Sequence, residues 1–279
     1  MSGKLYVCGT PIGNLEDASI RLLKTLRRVD IIACEDTRHT IKLLNRYKIK
    51  NRLLSYHEHS SPKKEQYILE ELANGSSIAL VSDAGMPTIS DPGEGLIHKA
   101  IAAGIEIEVI PGPSACTAAL AISGLDSSSF IFIGFLPTKK GKRHEMLGSF
   151  NKQPRTVVIY EAPHRLIATL EEIAVIMGEE QPIAVFRELT KIHQEARQGT
   201  VTEVKNYYQG NPPRGEICLI IPIQEEQSGP VDMDQIMQET LALINSGIEK
   251  KEALKMKARE YKVKKSTIYK QLLEQPSID

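Results

Sequence analysis

The chain has 279 residues, is 41% hydrophobic and 25% charged, and carries no tryptophan and a formal net charge of zero. That length favours two compact domains with substantial cores. No apolar run approaches the roughly 20 residues that cross a bilayer, and Met1-Ser2-Gly3-Lys4 leads straight into strand-like Leu5-Tyr6-Val7-Cys8, so neither a membrane span nor a signal peptide is expected.

The first 110 residues alternate between two hydrophobic periods. Strand-like runs stand at 4–8, 30–34, 52–56, 77–81 and 105–110. Between them, residues 15–29 place Leu15, Ala18, Leu22, Leu26 and Val29 on one helical face, and 61–73 and 94–103 also read as helices, the last stopped by Gly104. Strand and helix in alternation predict a parallel sheet covered on both faces.

A second set starts near residue 113. PSACTAALAIS reads as a buried helix, followed by strands at 130–135, 155–160, 182–187 and 216–221 and helices at 163–177 and 201–208. Residues 191–200 are expected to form an extended hairpin arm, which makes this second sheet mixed. The fold class is therefore α/β, with an N-terminal domain at 1–112, a second α/β domain at 113–224 and a ligand cleft between them. A polar linker at 224–230 leads to a small helical unit at 230–279, with helices at 250–260 and 265–273 spaced like a helix-turn-helix. Residues 250–270 hold nine Lys and Arg against two Glu, leaving 26 basic against 33 acidic residues elsewhere. A basic tail on an acidic body points to an anionic partner.

Cys8, Cys34, Cys116 and Cys218 are scattered and form no CxxC, which indicates a reducing, cytoplasmic setting without a disulfide framework. In open α/β sheets, ligands bind beyond the carboxyl ends of the strands. Three loops there stand out: GTPIGN at 9–14, SDAGMPTISDPG at 82–93 and PGPSA at 111–115. None is a GxGxxG or P-loop motif. Together they outline a pocket of backbone and small side chains, acidic at Asp83 and Asp91 and without a fixed cation. Such a pocket suits a ligand with hydroxyls, an amine and a positive centre, as S-adenosylmethionine has, better than a pyrophosphate.

Those loops occur in order with CEDTRHT at 34–40, GFLP at 134–137, YEAPHR at 160–165 and RELTKIHQE at 187–195. The set closely resembles the bacterial small-subunit rRNA cytidine 2′-O-methyltransferases, which belong to the tetrapyrrole-methylase-like class of S-adenosylmethionine enzymes. The resemblance covers about residues 4–222 and extends into the tail. It implies two α/β domains with S-adenosylmethionine between them, a homodimer, and methyl transfer to a cytidine ribose of 16S rRNA in the small ribosomal subunit. It also implies cofactor contacts at Asp83, Met86, Ser114 and Ala115, with Pro11 beneath and Ala162 and Leu189 closing over.

A ribose hydroxyl is a poor nucleophile, so a base or an orienting acceptor should assist. Asp36, Glu58, Glu161 and Glu188 are the candidate catalytic carboxylates, with Arg187 and Lys191 as ion-pair partners. His57 and His59 flank Glu58, but no further ligand spacing accompanies them and no metal is expected. RNA contact needs local positive charge. Lys139, Lys140, Lys142 and Arg143 form the best basic loop, with Arg38 and Arg165 as phosphate contacts near a flipped-out nucleotide. Two alternatives share the cofactor loops: a small-molecule (tetrapyrrole-type) methyltransferase, and a non-enzymatic regulator that senses a metabolite and binds nucleic acid.

Overall fold

The structure is a computed structural model that describes residues 3–57, 60–150, 155–223, 233–261 and 263–274. Glu58, His59 and the linker at 224–230 lie outside the described residues. The chain forms two compact units, Met1–Ile223 and Gln224–Asp279.

In the first unit, β1 (Lys4–Cys8), β2 (Ile31–Cys34), β3 (Leu53–Ser55), β4 (Ile78–Val81) and β5 (Glu106–Ile110) alternate with α1 (Ile20–Arg28), α2 (Thr37–Arg46), α3 (Pro62–Ala73) and α4 (Glu94–Ala102). All strand pairs are parallel, in the order β3-β2-β4-β1-β5. Alternate residues of each strand point to opposite faces. Leu5, Ile78 and Leu80 meet Ile68, Leu72 and Leu96 from α3 and α4. Cys8, Ala79 and Val81 meet Leu22, Leu26 and Leu43 from α1 and α2. The chain leaves β1 towards one edge of the sheet and leaves β4 towards the other. The crevice beyond their carboxyl ends is therefore the topological switch point, where this architecture binds ligands.

The helix expected over 15–29 is divided. Asn14 caps a 3-10 turn at Leu15–Asp17, Ala18 is extended, and Ser19 caps α1 by accepting a bond from the Leu22 amide. Each of these short polar side chains supplies an acceptor for an orphan amide at a helix start, so the periodic stretch begins twice.

The second sheet is built from β6 (Phe130–Phe135), β7 (Thr156–Glu161), β8 (Pro182–Arg187), β9 (Glu195–Thr200) and β10 (Ile217–Pro222), in the order β6-β7-β10-β8-β9. Only β6 and β7 are parallel, so the sheet is mixed. β9 is the expected extended arm, pairing with β8 from Arg187↔Glu195 to Pro182↔Thr200. One face packs on α6 (Lys140–Phe150), α7 (Leu166–Met177) and α8 (Val201–Gly210) through Leu147, Leu170, Ile173 and Val204. The other packs on α5 (Ala115–Ser123), whose Cys116, Ala119 and Leu120 meet Val158, Ala184, Phe186 and Ile220. Ile12, from the loop after β1, belongs to this same core and ties the first sheet to the second.

The C-terminal unit holds α9 (Met233–Asn245), α10 (Lys250–Glu260) and α11 (Lys265–Glu274) around Ile236, Met237, Leu254 and Ile268. α10 and α11 stand where the spacing placed them, and α9 completes their core. Lys257 bonds Glu239 at 2.7 Å and Glu260 at 2.9 Å, which removes one cation from the basic stripe. All four cysteines are free and buried. Among the described residues, no helix is long and apolar enough to cross a membrane.

Candidate active site

A cavity of about 330 Å³ opens beyond the carboxyl ends of β1 and β4 and reaches the second sheet. Ile12 lines it from the loop after β1, residues 84–86 and Asp91 from the loop after β4, and Ser114 and Ala115 from the start of α5. Tyr160, Ala162, Phe186 and Leu189 face them from the second domain. The volume lies within the range of small-molecule sites.

Backbone contacts set the shape of the floor. Thr10 and Gly85 exchange amide bonds of 2.8 and 3.1 Å, and the Thr10 hydroxyl donates to the Ser82 carbonyl at 3.2 Å. Gly9 and Gly112 pack backbone to backbone, since a Cβ on Gly112 would stand 2.6 Å from the Gly9 carbonyl oxygen. These contacts explain the glycines of the first and third loops. The stiff composition of residues 82–93 has a similar cause. Gly85 and Gly93 have φ of 81° and 132°, and Thr88 and Ser90 are also left-handed at 72° and 66°. Only an over-determined loop keeps two non-glycine residues there.

The cavity fits a sulfonium cofactor on three counts. It is walled by apolar groups suited to a purine: Ile12, Met86, Phe186 and Leu189. The amides of Ser114 and Ala115, at the N-terminal end of α5, donate to no group among the described residues and are available to a carboxylate. The charged residues in the lining are all acidic: Asp91, Glu161 and Glu216. A pyrophosphate would find no cation there.

Of the residues expected to hold the cofactor, Met86, Ser114, Ala115, Ala162 and Leu189 line the cavity. Pro11 is buried beside Ile12 without lining it. Asp83, also expected there, has partners of its own. Its carboxylate accepts the Asp36 amide at 3.0 Å and meets His39 Nδ1 at 2.9 Å, so it ties the loop after β4 to the start of α2 and is not part of the lining. Asp36, His39 and Asp83 bring ligand-type atoms within 4.8 Å of one another. Their bonds to each other and to Arg38 account for that grouping.

The three described candidate bases are all engaged. Asp36 caps α2 and pairs with Arg38, whose hydrogen bonds hold its carboxyl down to about 2. Glu161 is buried and accepts from Thr169 Oγ1 at 2.6 Å and the Ala162 amide at 2.8 Å, and it pairs with Arg165 at 3.2 Å. Burial alone would raise the Glu188 carboxyl, but Lys191 at 2.8 Å and the Glu216 amide at 3.0 Å bring it below the usual range. Glu188 does not line the cavity. Asp36 and Glu188 are thereby stabilised as anions and are poor proton acceptors. Arg187 and Lys191 are ion-pair partners, of Glu195 and Glu188.

Asp91 is the carboxylate those candidates omitted. Burial and the nearby charges of Glu35 and Asp83 push its carboxyl up to about 7, against the pull of the Ser82 hydroxyl. The sequence signal was present in the second acidic residue of the opening loop, but its lack of an ion pair among the described residues is visible only in three dimensions.

The basic residues separate into two groups. Lys139, Lys140 and Lys142 are exposed, with no ion pair among the described residues, and Arg38 is 86% exposed at its side chain. Arg143 and Arg165 are committed inside the chain. Arg143 forks onto Glu172, and its Nη1 reaches the Thr138 carbonyl at 3.3 Å. Arg165 pairs with Glu161 and donates to the Leu136 carbonyl at 2.9 Å. Arg143, expected in the basic loop, and Arg165, expected at a phosphate, both hold the carbonyls of residues 136–138, which connect cavity-lining Phe135 to the lysine run.

Three comparisons place this geometry among known proteins. The family model described as Tetrapyrrole (Corrin/Porphyrin) Methylases matches residues 4–205. Proteins called ribosomal RNA small subunit methyltransferase I are similar along the chain. That of Thermotoga maritima is 49% identical over 80% of this chain and all of its own length. That of Synechocystis is 42% identical over 98% of both. Among solved structures, diphthine synthase aligns with a TM-score of 0.64 at 12% identity, covering 79% of this chain and 90% of its own. A cobalt precorrin-4 methyltransferase aligns with a TM-score of 0.61 at 18% identity, covering 78% and 94%. At such identities these two speak to the fold alone.

Proposed function

Because the chain belongs to the tetrapyrrole methylase family, and within it to the small-subunit rRNA methyltransferase I group, we propose that it methylates the ribose 2′-hydroxyl of a cytidine in 16S rRNA. It is a methyltransferase, and S-adenosylmethionine, when bound, supplies a methyl carbon made electrophilic by a sulfonium.

The protein's own work is to hold two reactants in line and keep water out. Residues 84–86 and the amides of Ser114 and Ala115 are assigned to the donor, with Ala162 and Leu189 opposite. The observation that carries the reading is the surface around the cavity. Phe135, 54% exposed, and Ile89, 48% exposed, both line it and offer an apolar face to an unstacked base. Phe135 leads within a few residues to Lys139, Lys140 and Lys142. An aromatic face beside free cations suits a flipped nucleotide on a phosphate backbone. The tetrapyrrole alternative gives those lysines no task.

The direct test supplies labelled donor and under-methylated small subunits, then maps the label by nuclease digestion. Label on one cytidine ribose is expected. Transfer to a small molecule with none to RNA would overturn the reading. Neutralising Lys139, Lys140 and Lys142 together should raise KM for the subunit and lower the log–log salt slope by about 2. Unchanged RNA kinetics would return these lysines to the solvated surface.

The remaining assignments belong to the same proposal. Assembly as a homodimer is supported by exposed apolar residues Val109 on edge strand β5, Ile122 on α5 and Phe130 on edge strand β6. Light scattering should give twice the 31.0 kDa of one chain. A cytoplasmic setting is part of the same proposal, supported by a ribosomal substrate and by four cysteines that form no disulfide.

A further inference from the structure

We propose that Asp91 accepts the proton from the acceptor hydroxyl during methyl transfer, an assignment that rests on the 2′-O-methylation proposed above. The O–H bond breaks towards an Asp91 oxygen as the new O–C bond forms. The C–S bond breaks with its electron pair staying on sulfur, and the neutral Asp91 carboxyl then returns the proton to water. No other co-reactant is needed.

The geometry singles out this residue among the cavity carboxylates. Glu161 is held by a hydroxyl, an amide and Arg165. Glu216 pairs with Lys191 at 3.1 Å, and its side chain is 69% exposed. Asp91 has no ion pair among the described residues, although it lines the cavity. Among the described residues, the groups that bear on its charge are acidic or neutral. Glu35 stands after β2, Ser82 and Asp83 after β4, and Glu216 before β10. The nearby histidines act elsewhere, His39 on Asp83 and His57 on Glu35.

The residue before Asp91 is tightly placed. Ser90, just before it, is left-handed, and a Cβ on Gly134 would stand 2.7 Å from Ser90 Oγ. The bulge of β6 thus presses the second domain onto the residue next to Asp91. Ile89 and Phe135, at the exposed part of the lining, flank the approach an acceptor ribose would take. A carboxyl that is half protonated around neutrality both takes a proton readily and gives it up. Burial and like charge produce that state here.

The folded carboxyl titrates above its unfolded value, so ionising it opposes folding. That penalty grows from about pH 4 to about pH 7 and is complete above it. Asp91→Asn should therefore melt higher than the wild type at pH 8, by less at pH 5, and not at pH 4. Carboxyl carbon NMR of the protein without donor should show one aspartate titrating near 7 that Asp91→Asn removes. Single-turnover methylation of small subunits should rise tenfold per pH unit below 7 in the wild type. Asp91→Asn should be at least 100-fold slower and lose that rise, while calorimetric donor Kd changes less than threefold. Asp91→Glu should recover part of the rate.

An Asp91 that titrates below 5, or an Asn variant within threefold of the wild-type rate, overturns the assignment. So does a variant whose whole defect is donor affinity. Wild-type failure to label RNA would instead remove the 2′-O-methylation reading. The NMR and melting results still decide whether Asp91 carries the raised titration that the assignment needs.

Discussion

Gly112→Val is expected to weaken donor binding by 100-fold or more while the chain stays folded. A Cβ on Gly112 would meet the carbonyl oxygen, carbonyl carbon and Cα of Gly9 at 2.6, 2.7 and 2.8 Å. All three atoms are backbone, so no side-chain rotation relieves the clash. The loops after β1 and β5 must separate, although the Gly9 amide is bonded to the Ile110 carbonyl at 2.9 Å. Ile12 lies three residues beyond one glycine, and Ser114 and Ala115 follow the other. Both walls of the donor site therefore move. A displacement of about 1 Å in a positioned site costs about 100-fold. Calorimetric titration with donor reads the loss, and circular dichroism checks the fold. Gly141→Ala is the control. Nothing lies within 4 Å of its Cβ position, and in α6 alanine should stabilise by up to about 1 kcal/mol. Wild-type affinity in the valine variant would mean that the glycine contact does not shape the cavity.

Arg165→Ala should destabilise the first unit by about 2–3 kcal/mol and raise KM for the subunit. Glu161 has a fully buried side chain and would lose its only ion-pair partner among the described residues. Breaking a buried pair on one side typically costs about 3–5 kcal/mol, because a charge is left behind without compensation. Here Thr169 and the Ala162 amide remain, which lowers the figure. At about 2–4 °C per kcal/mol for a unit of this size, the melting point should fall by roughly 5–10 °C. The effect on RNA arises elsewhere, since the Leu136 carbonyl loses its donor and the segment between Phe135 and Lys139 loosens. Arg165→Lys should restore little, because one ammonium cannot reach both Glu161 and Leu136 as the planar fork does. A melting point within 1 °C of the wild type would show that the pair contributes nothing net.

Much of the fold is legible in the chain because strand and helix write different periods. Leu5, Ile78 and Leu80 alternate with residues that face the other helix layer, and the periodic faces of α3 and α4 end at turn residues. The failures share a cause. Ser19 restarts a helix that periodicity alone runs through, because a single side-chain acceptor outweighs one turn of apolar spacing. α9 was not anticipated, because its apolar residues are explained only by α10 and α11, against which they pack.

The site divides in the same way. Glycines at 9, 85 and 112, and the Ser114-Ala115 step, can be read as a cofactor floor, because backbone-exposing loops after strands need those residue types wherever they fold. Individual charges cannot be assigned by type. Asp83 and Asp91 stand eight residues apart in one loop, yet Asp83 is drawn to His39 and the Asp36 amide and Asp91 is left among carboxylates. Arg143 and Lys142 are neighbours, yet Arg143 faces Glu172 on α7 and Lys142 faces solvent. The sequence by itself determined the two sheets, the switch-point crevice and the chemistry of its floor, since local periodicity and backbone demands are short-range. The tertiary structure alone decided which carboxylate lacks a cation, and which cations lack an ion pair, among the described residues. Those states depend on Coulomb and hydrogen-bond partners that come from elements dozens of residues apart, and only folding brings them within a few ångströms.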